Sequence, residues 1–392
     1  MKSIKAFLAA LVLFGVTVVC MHVYVNTHLP SYNLRYGTWV EQAKFNSNEG
    51  LRKLMQEKDS LLILGSSELK HGQKSGFHAD TIFQDADMKP VFVGQAGYQS
   101  LIAAITAGSM PEELSGKKVV LLVSPQWYKK KGVTASAFGN SFSESNFISF
   151  LKNPYISDKT KQYVIKRVKK LTKNQELMHQ RIIQDVDWYM GEKLTADQIL
   201  RKDLHTGLIR EKSKTRLLAK MTLAGIPGQE ETGKELSIDP LEWGKLWAKA
   251  EKKGEKYAGH NPYGMYDVAY KKKYQSLAEE GQIRKPDYKA DSAEAKDLAC
   301  FLKICKQQKI QPLVVMLPFN GCWYDETGYD STKRQAIYDK TKAVAEKYGA
   351  SYLDLSDEEY APYSFEDGSH PGLKGLVNIN EKIYEFYHES EK

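Results

Sequence analysis

The chain has 392 residues, 42% of them apolar and 27% charged, with 56 Lys and Arg against 48 Asp and Glu for a net charge of +8. Its mean hydropathy of −0.48 excludes a polytopic transporter. With 14 Phe, 23 Tyr and 6 Trp it holds enough core-forming residues to exclude intrinsic disorder.

The first element is the exception to that average. Residues 6–25 (AFLAALVLFGVTVVCMHVYV) carry no formal charge, and a helix of this length crosses a hydrocarbon layer of ~30 Å. Lys2 and Lys5 precede the run and the next fixed positive charge is Arg35, so the positive-inside bias puts the N-terminus in the cytoplasm and the rest of the chain outside. No small-x-small cleavage site precedes Thr27, and Val18 and Val19 are too bulky to make Cys20 a lipoprotein site. An uncleaved signal-anchor over residues 1–27 is therefore expected. Of the other cysteines, Cys300 and Cys305 are five apart on an expected helix and point to different faces, so with Cys322 they give no disulfide framework. A large outward domain without disulfides suits a bacterium.

Beyond the anchor, five apolar runs bounded by turn residues read as buried parallel strands: 61–64, 91–93, 119–123, 312–317 and 352–355. Helical spacing fills 293–308 and 332–348. Alternating strand and helix predicts one doubly wound α/β sheet. Between the third and fourth runs, 141–291 lacks strand-like runs and is rich in Lys, Glu, Gln and Tyr at helical spacing, so it reads as a helical insertion. The expected organisation is an anchor (1–27), the first part of an extracellular α/β domain (28–140), the insertion (141–291) and the second part of the domain (292–392). Within the insertion, 151–175 carries Lys152, Lys159, Lys161, Lys166, Arg167, Lys169, Lys170 and Lys173 against Asp158 alone. That is either a solvated helix face or a patch for a polyanion or lipid headgroups.

Open α/β sheets bind ligands beyond the carboxyl ends of their strands. Those ends read Gly65-Ser66-Ser67-Glu68-Leu69, Gly94-Gln95-Ala96-Gly97, Ser124-Pro125-Gln126-Trp127 and Pro318-Phe319-Asn320, and after the fifth strand comes Asp367-Gly368-Ser369-His370-Pro371-Gly372. Pro371 is suited to open a helix. A serine nucleophile needs a base for its proton, an acid to fix the base's tautomer and donors for the oxyanion. With Ser67 as the nucleophile, His370 and Asp367 meet the first two needs. The backbone N–H groups of Ser67 and Gly97 and the side-chain amide of Gln126 are candidate donors.

This order of motifs resembles the SGNH (GDSL-like) hydrolase superfamily. Gly65-Ser66-Ser67 stands where its Gly-Asp-Ser block does, which selects Ser67 over Ser66, and Asp367 and His370 match its C-terminal Asp-x-x-His. The family's usual Asn after the third strand is replaced here by Gln126, whose extra methylene displaces the amide by about one bond length. More narrowly, Leu64–Leu69, Gly94–Gly97, Ser124–Trp127, Asp367–Pro371 and the single anchor resemble the DltD family of the lipoteichoic acid D-alanylation system of Gram-positive bacteria. In that pattern the Gln is regular. The resemblance implies an SGNH-hydrolase-like, flavodoxin-like fold and an extracellular domain in the cell membrane. It further implies a serine acyltransferase passing D-alanine to lipoteichoic acid, with a membrane-bound O-acyltransferase and a D-alanyl carrier protein as partners.

Two rival classes stay open. The same triad would serve a surface esterase or thioesterase. A non-catalytic assembly subunit would instead use the anchor, where Ala9, Ala10 and Gly15 allow close helix approach. Trp127, Trp323, Phe319 and Asn320 could wall the pocket, and His71 could reach it from the following turn, although core packing is the default for the tryptophans and a structural role for His71. The nine histidines are scattered and no Cys or His pair has ligand spacing, so neither a metal nor a cofactor is expected. No nucleotide fingerprint appears, and the positive balance fits an anionic polymer and anionic membrane lipids better than nucleic acid.

Overall fold

Five short strands form one parallel sheet in the computed structural model, which describes residues 2–389 apart from Lys74, Asp85 and 227–240. The strands are β1 (Ser60–Gly65), β2 (Lys89–Gly94), β3 (Lys118–Val123), β4 (Gln311–Met316) and β5 (Ser351–Asp354), in the order β2-β1-β3-β4-β5. All pairs are parallel, with Gly65 opposite Gly94, Leu62 opposite Val119 and Val123 opposite Met316. The chain reverses direction across the sheet between β1 and β3, the point at which a doubly wound sheet opens a crevice.

The central strands are buried on both faces, which is why β1 (SLLILG) and β3 (KVVLLV) read as unbroken apolar runs. The edge strand β5 is half exposed and ends one residue before the predicted run does, because Leu355 leaves the ladder for the core at the head of the turn Ser356–Tyr360.

The longer helices are α1 (Lys2–His28), α2 (Asn48–Met55), α3 (Ser100–Gly108), α4 (Glu144–Lys152), α5 (Asp158–Thr172), α6 (Glu176–Met190), α7 (Ala196–Ala224), α8 (Trp243–Ala258), α9 (Ala293–Gln307), α10 (Ser331–Tyr348) and α11 (Leu373–His388). Local chemistry sets their ends. Ser292 caps α9 and Asp330 caps α10 through side-chain acceptors, and Gly349 closes α10 at φ +72°. Thr195 and Gln198 form a reciprocal capping box on α7. Ile379 and Ile383 of α11 lie against Ile63, Phe92 and Leu122 on one face of the sheet. Helix α9 packs on both α3 and α10.

Between β3 and β4 the described residues form helices and the loops that join them, with an isolated bridge between Lys129 and Tyr288. The first helices of this long connection share the main core: α4 packs on α3 and α5 on α9, with Phe147, Phe150, Val164, Val168 and Leu217 all buried. Two of the eight cations in 151–175 are internal. Arg167 pairs with the fully buried Asp297 at 2.6 Å, and Lys161 Nζ donates to Leu151 O at 2.7 Å. The remaining six are the solvent side of the segment, and 227–240 lies outside the described residues.

Helix α1 is long and apolar enough to cross a membrane over Ile4–His28, and it fits a single-pass anchor. Its C-terminal end is tied to α7, where Lys214 Nζ donates to Asn26 Oδ1 at 2.6 Å and His22 Nδ1 lies 3.1 Å from Glu211 Oε1. All four cysteines are free thiols.

Candidate active site

The crevice above β1 and β3 collects the residues that leave the strands. Ser67 opens a short 3₁₀ turn, Ser67–Lys70, directly after β1. The close approach beneath it requires glycine: a Cβ on Gly94 would lie 1.8 Å from the Gly65 carbonyl oxygen. This keeps the two strand ends in register where the chain turns toward the site.

Asp367 and His370 come from a tight loop between β5 and α11. The loop is clasped at its base, where Glu366 N–H donates to His370 O at 2.9 Å, Gly372 N–H donates to Ser364 O at 2.7 Å, and Phe365 bridges Pro371. Pro371 therefore sits in this clasp and does not open the helix; α11 starts at Leu373 with Gly372 as its cap. Asp367 Oδ1 accepts the backbone N–H groups of Ser369 (2.7 Å) and His370 (2.9 Å), which fixes the carboxylate inside its own turn.

From there a hydrogen-bond chain runs to Ser67. His370 Nδ1 lies 2.9 Å from Asp367 Oδ2 and 3.0 Å from Oδ1, and His370 Nε2 lies 2.8 Å from Ser67 Oγ. A carboxylate can only accept, so Nδ1 carries the hydrogen and Nε2 presents its lone pair to the serine hydroxyl. Burial alone would raise the Asp367 carboxyl, but the hydrogen bond and charge of His370 and the two backbone donors outweigh it and hold the group below its ordinary value. Burial would lower His370, yet the Asp367 hydrogen bond and charge, with Glu68 and Glu366 beyond, hold the imidazole above its ordinary value.

The other predicted residues fall in three places. Gly97, at φ +84°, donates its N–H to Ser66 Oγ at 3.1 Å, and Ser66 in turn donates to Gln95 O, so this amide is engaged with Ser66. Gln126 lines a cavity of about 480 Å³ that also takes in Ser369, Tyr274, Tyr288 and Trp323. Trp127 is buried in the main core, and Asn320 is buried as the cap of Gly321–Glu326, accepting Trp323 N–H and donating to Tyr263 O. Asn320 thus supports the Trp323 wall from behind.

Two contributors, Glu68 and Tyr274, were not singled out for the site by sequence, and a third, His71, was weighed as able to reach it with a structural role as the default. Glu68, fully buried, accepts Ser66 N–H at 2.5 Å; burial pushes its carboxyl up against the lowering pull of that bond. His71 stacks on His370 with ring centroids 3.9 Å apart and is held by Glu366 Oε2 at 2.9 Å from its Nδ1. Tyr274 ends a π-helical turn, Tyr270–Tyr274, and its hydroxyl accepts Gly368 N–H at 3.0 Å. Burial and the charge of Asp367 push that phenol up to about 12. Glu68 and His71 lie in the serine's own turn, which was a readable signal; Tyr274 belongs to the insertion and had none.

The chain is similar to known proteins along nearly its full length. The family model described as DltD protein matches residues 37–388. Protein DltD of Bacillus subtilis (strain 168) is 27% identical over 86% of this chain and 84% of its own length. Protein DltD of Staphylococcus aureus is 26% identical over 84% and 82%, and Protein DltD of Lacticaseibacillus rhamnosus is 24% identical over 83% and 76%. With the family's pattern running from just past the anchor to the end of α11, the chain belongs to the DltD family.

Proposed function

We propose that the chain is a membrane-anchored serine acyltransferase that passes D-alanine to lipoteichoic acid on the outer face of the cell membrane. The family works in D-alanylation of teichoic acid, which supplies the pathway. The observation that carries the chemistry is the unbroken chain Ser67 Oγ, His370 Nε2, His370 Nδ1, Asp367.

In the reaction, Ser67 Oγ attacks the carbonyl carbon of a D-alanyl donor while its proton moves to His370 Nε2. Asp367 stabilises the imidazolium that results. The tetrahedral oxyanion is met by the Ser67 backbone N–H and the Gln126 amide. Collapse breaks the bond to the donor's leaving group, which takes the proton from His370 and departs. A glycerol hydroxyl of the polymer then gives its proton to His370 and attacks the acyl-serine; the acyl–Oγ bond breaks and His370 returns the proton to Ser67 Oγ.

Two features of the cavity favour a transferase. The insertion supplies Tyr274, Leu277, Ile283 and Tyr288 to its wall beside Trp323, and such a cover limits the access of water to an acyl-serine. Lys273 and Arg284 line the same cavity and suit a polymer of glycerol phosphates. The partners in this reading are lipoteichoic acid, a membrane-bound O-acyltransferase beside α1, anionic membrane lipids and, across the membrane, a D-alanyl carrier protein.

The test is a Gram-positive host in which Ser67→Ala replaces the wild-type chain at equal protein level. Loss of ester-linked D-alanine from teichoic acid is expected. Wild-type ester content in that strain would remove the covalent role and leave an assembly subunit. Rapid hydrolysis of short acyl esters by purified wild-type protein without polymer would favour the esterase.

A further inference from the structure

Outside this site, one imidazole and two carboxylates converge within the helical insertion. Glu144 stands on α4, Asp185 on α6 and His205 on α7. His205 Nε2 lies 2.9 Å from Glu144 Oε1 and 3.7 Å from Asp185 Oδ1, and the donor atoms of the three residues all lie within 4.8 Å of one another. Asp185 is fully buried, and neither of its carboxylate oxygens has a hydrogen-bond partner. Buried carboxylates are normally hydrogen-bonded, and here the nearest imidazole nitrogen, at 3.7 Å, stands beyond hydrogen-bond reach.

We infer that Glu144, Asp185 and His205 form a binding site for one divalent transition-metal cation, zinc or manganese. The donor set decides the class: an imidazole with two carboxylates suits these ions, whereas calcium takes six or more oxygens and no nitrogen. The spacing is compatible, since tetrahedral ligands at ~2.1 Å from zinc stand ~3.4 Å apart. Small side-chain rotations bring the wider pairs to that value.

The nearby cation does not replace such an ion. Arg181 Nη1 is 3.7 Å from Glu144 Oε2, and its side chain is more than half exposed, while Asp185 remains without a hydrogen bond. Access is available, because a cavity of about 360 Å³ lined by Ser145, Arg181, Ser213 and Arg216 reaches Glu144. Trp188 packs its ring edge-on against His205 and fixes the imidazole plane.

A cation there would join α4, α6 and α7. Since α7 also carries Glu211 and Lys214, which hold the end of α1, the same ion would stiffen the link between the outer domain and its anchor. Linear spacing gave no sign of the site because each ligand comes from a different helix.

The test uses the full-length chain without a histidine tag, in detergent micelles, stripped with a chelator and titrated with zinc or manganese chloride. One tight site per chain and a rise in Tm on loading are expected for the wild type. His205→Ala should weaken binding about tenfold or more and abolish the Tm response. Asp185→Asn keeps the shape and removes the charge, so it should fold as well as the metal-free wild type and show no Tm response. Wild-type affinity in both variants, or no uptake of either ion by the wild type, would overturn the proposal. If His205→Ala does not fold, Asp185→Asn decides alone.

Discussion

His71 and His370 stack face to face, with ring centroids 3.9 Å apart and planes 13° from parallel. Glu366 Oε2 lies 2.9 Å from His71 Nδ1 and anchors that ring, so the base of the proposed triad is fixed in two directions. Asp367 sets the tilt of the His370 ring through Nδ1, and His71 blocks its rotation out of that plane. The sequence offered His71 as a residue four positions past Ser67, and the turn Ser67–Lys70 is what folds it back over the site.

His71→Ala should slow acylation of Ser67 by a fluorophosphonate about 3- to 10-fold, the range for an aromatic contact of ~0.5–1.5 kcal/mol. His71→Phe keeps a flat ring in the stack and should recover most of the rate. Equal rates in both variants and the wild type would mean that the stack does not position His370.

The identity of the nucleophile is open to direct reading. Mass spectrometry after fluorophosphonate treatment should find the adduct on Ser67 and none on Ser66, whose hydroxyl is committed to Gln95 O and Gly97 N–H. The adduct should vanish in His370→Ala and persist in Ser66→Ala. An unlabelled Ser67 beside a reactive control enzyme would leave no activated serine.

The pH profile follows from the direction of the His370 shift. Only neutral imidazole can take the serine proton, and Asp367, Glu68 and Glu366 hold His370 above its ordinary value. The labelling rate should therefore rise with pH along a limb centred above the free-histidine value of ~6.5. Asp367→Asn removes the main source of that lift, so the limb should move to lower pH while the plateau falls by ~10²- to 10⁴-fold. A limb unmoved by Asp367→Asn would separate the carboxylate from the base.

Gly94 carries a steric prediction. An added Cβ would meet the Gly65 carbonyl at 1.8 Å, backbone against backbone, so the strands must part next to Ser66 and Ser67. Gly94→Ala should cost ~1–3 kcal/mol or more, read as a lower thermal midpoint. Its labelling rate should fall at temperatures where the variant is still folded.

The sheet was legible because its central strands are buried on both faces, and only apolar residues tolerate that. The half-exposed β5 was placed one residue late, since Leu355 is as apolar as its neighbours but is buried in the core at the head of the next turn. Ser67 was readable as a residue leaving a strand end, and Asp367 and His370 as a compact motif in the loop between the last strand and the last helix. Asn320 and Trp127 satisfied the same rule, yet their side chains are used for a helix cap and for the core. Strand-end position does not say which way a side chain turns. Tyr274 and the trio Glu144, Asp185 and His205 depend on how the long helical connection folds back, which local periodicity does not encode.

Tyr274 tests whether that connection governs the site or only covers it. Its hydroxyl accepts the N–H of Gly368, a buried residue inside the Asp367–His370 loop, and its ring packs edge-on against Trp323 at 4.7 Å. Tyr274→Phe keeps the ring contact and removes the acceptor, leaving a buried N–H unpaired at a cost of ~1–3 kcal/mol. Amide exchange at Gly368 and Ser369 should accelerate, and Ser67 labelling should slow as Asp367 loses its fixed aim at His370. If exchange quickens while labelling keeps its wild-type rate, the triad loop is held by its own clasp at Glu366 and Gly372, and the insertion serves as a wall. If both change together, the insertion sets the geometry of the base, and binding of polymer along Lys273 and Arg284 on the same element would be coupled to the chemistry at Ser67.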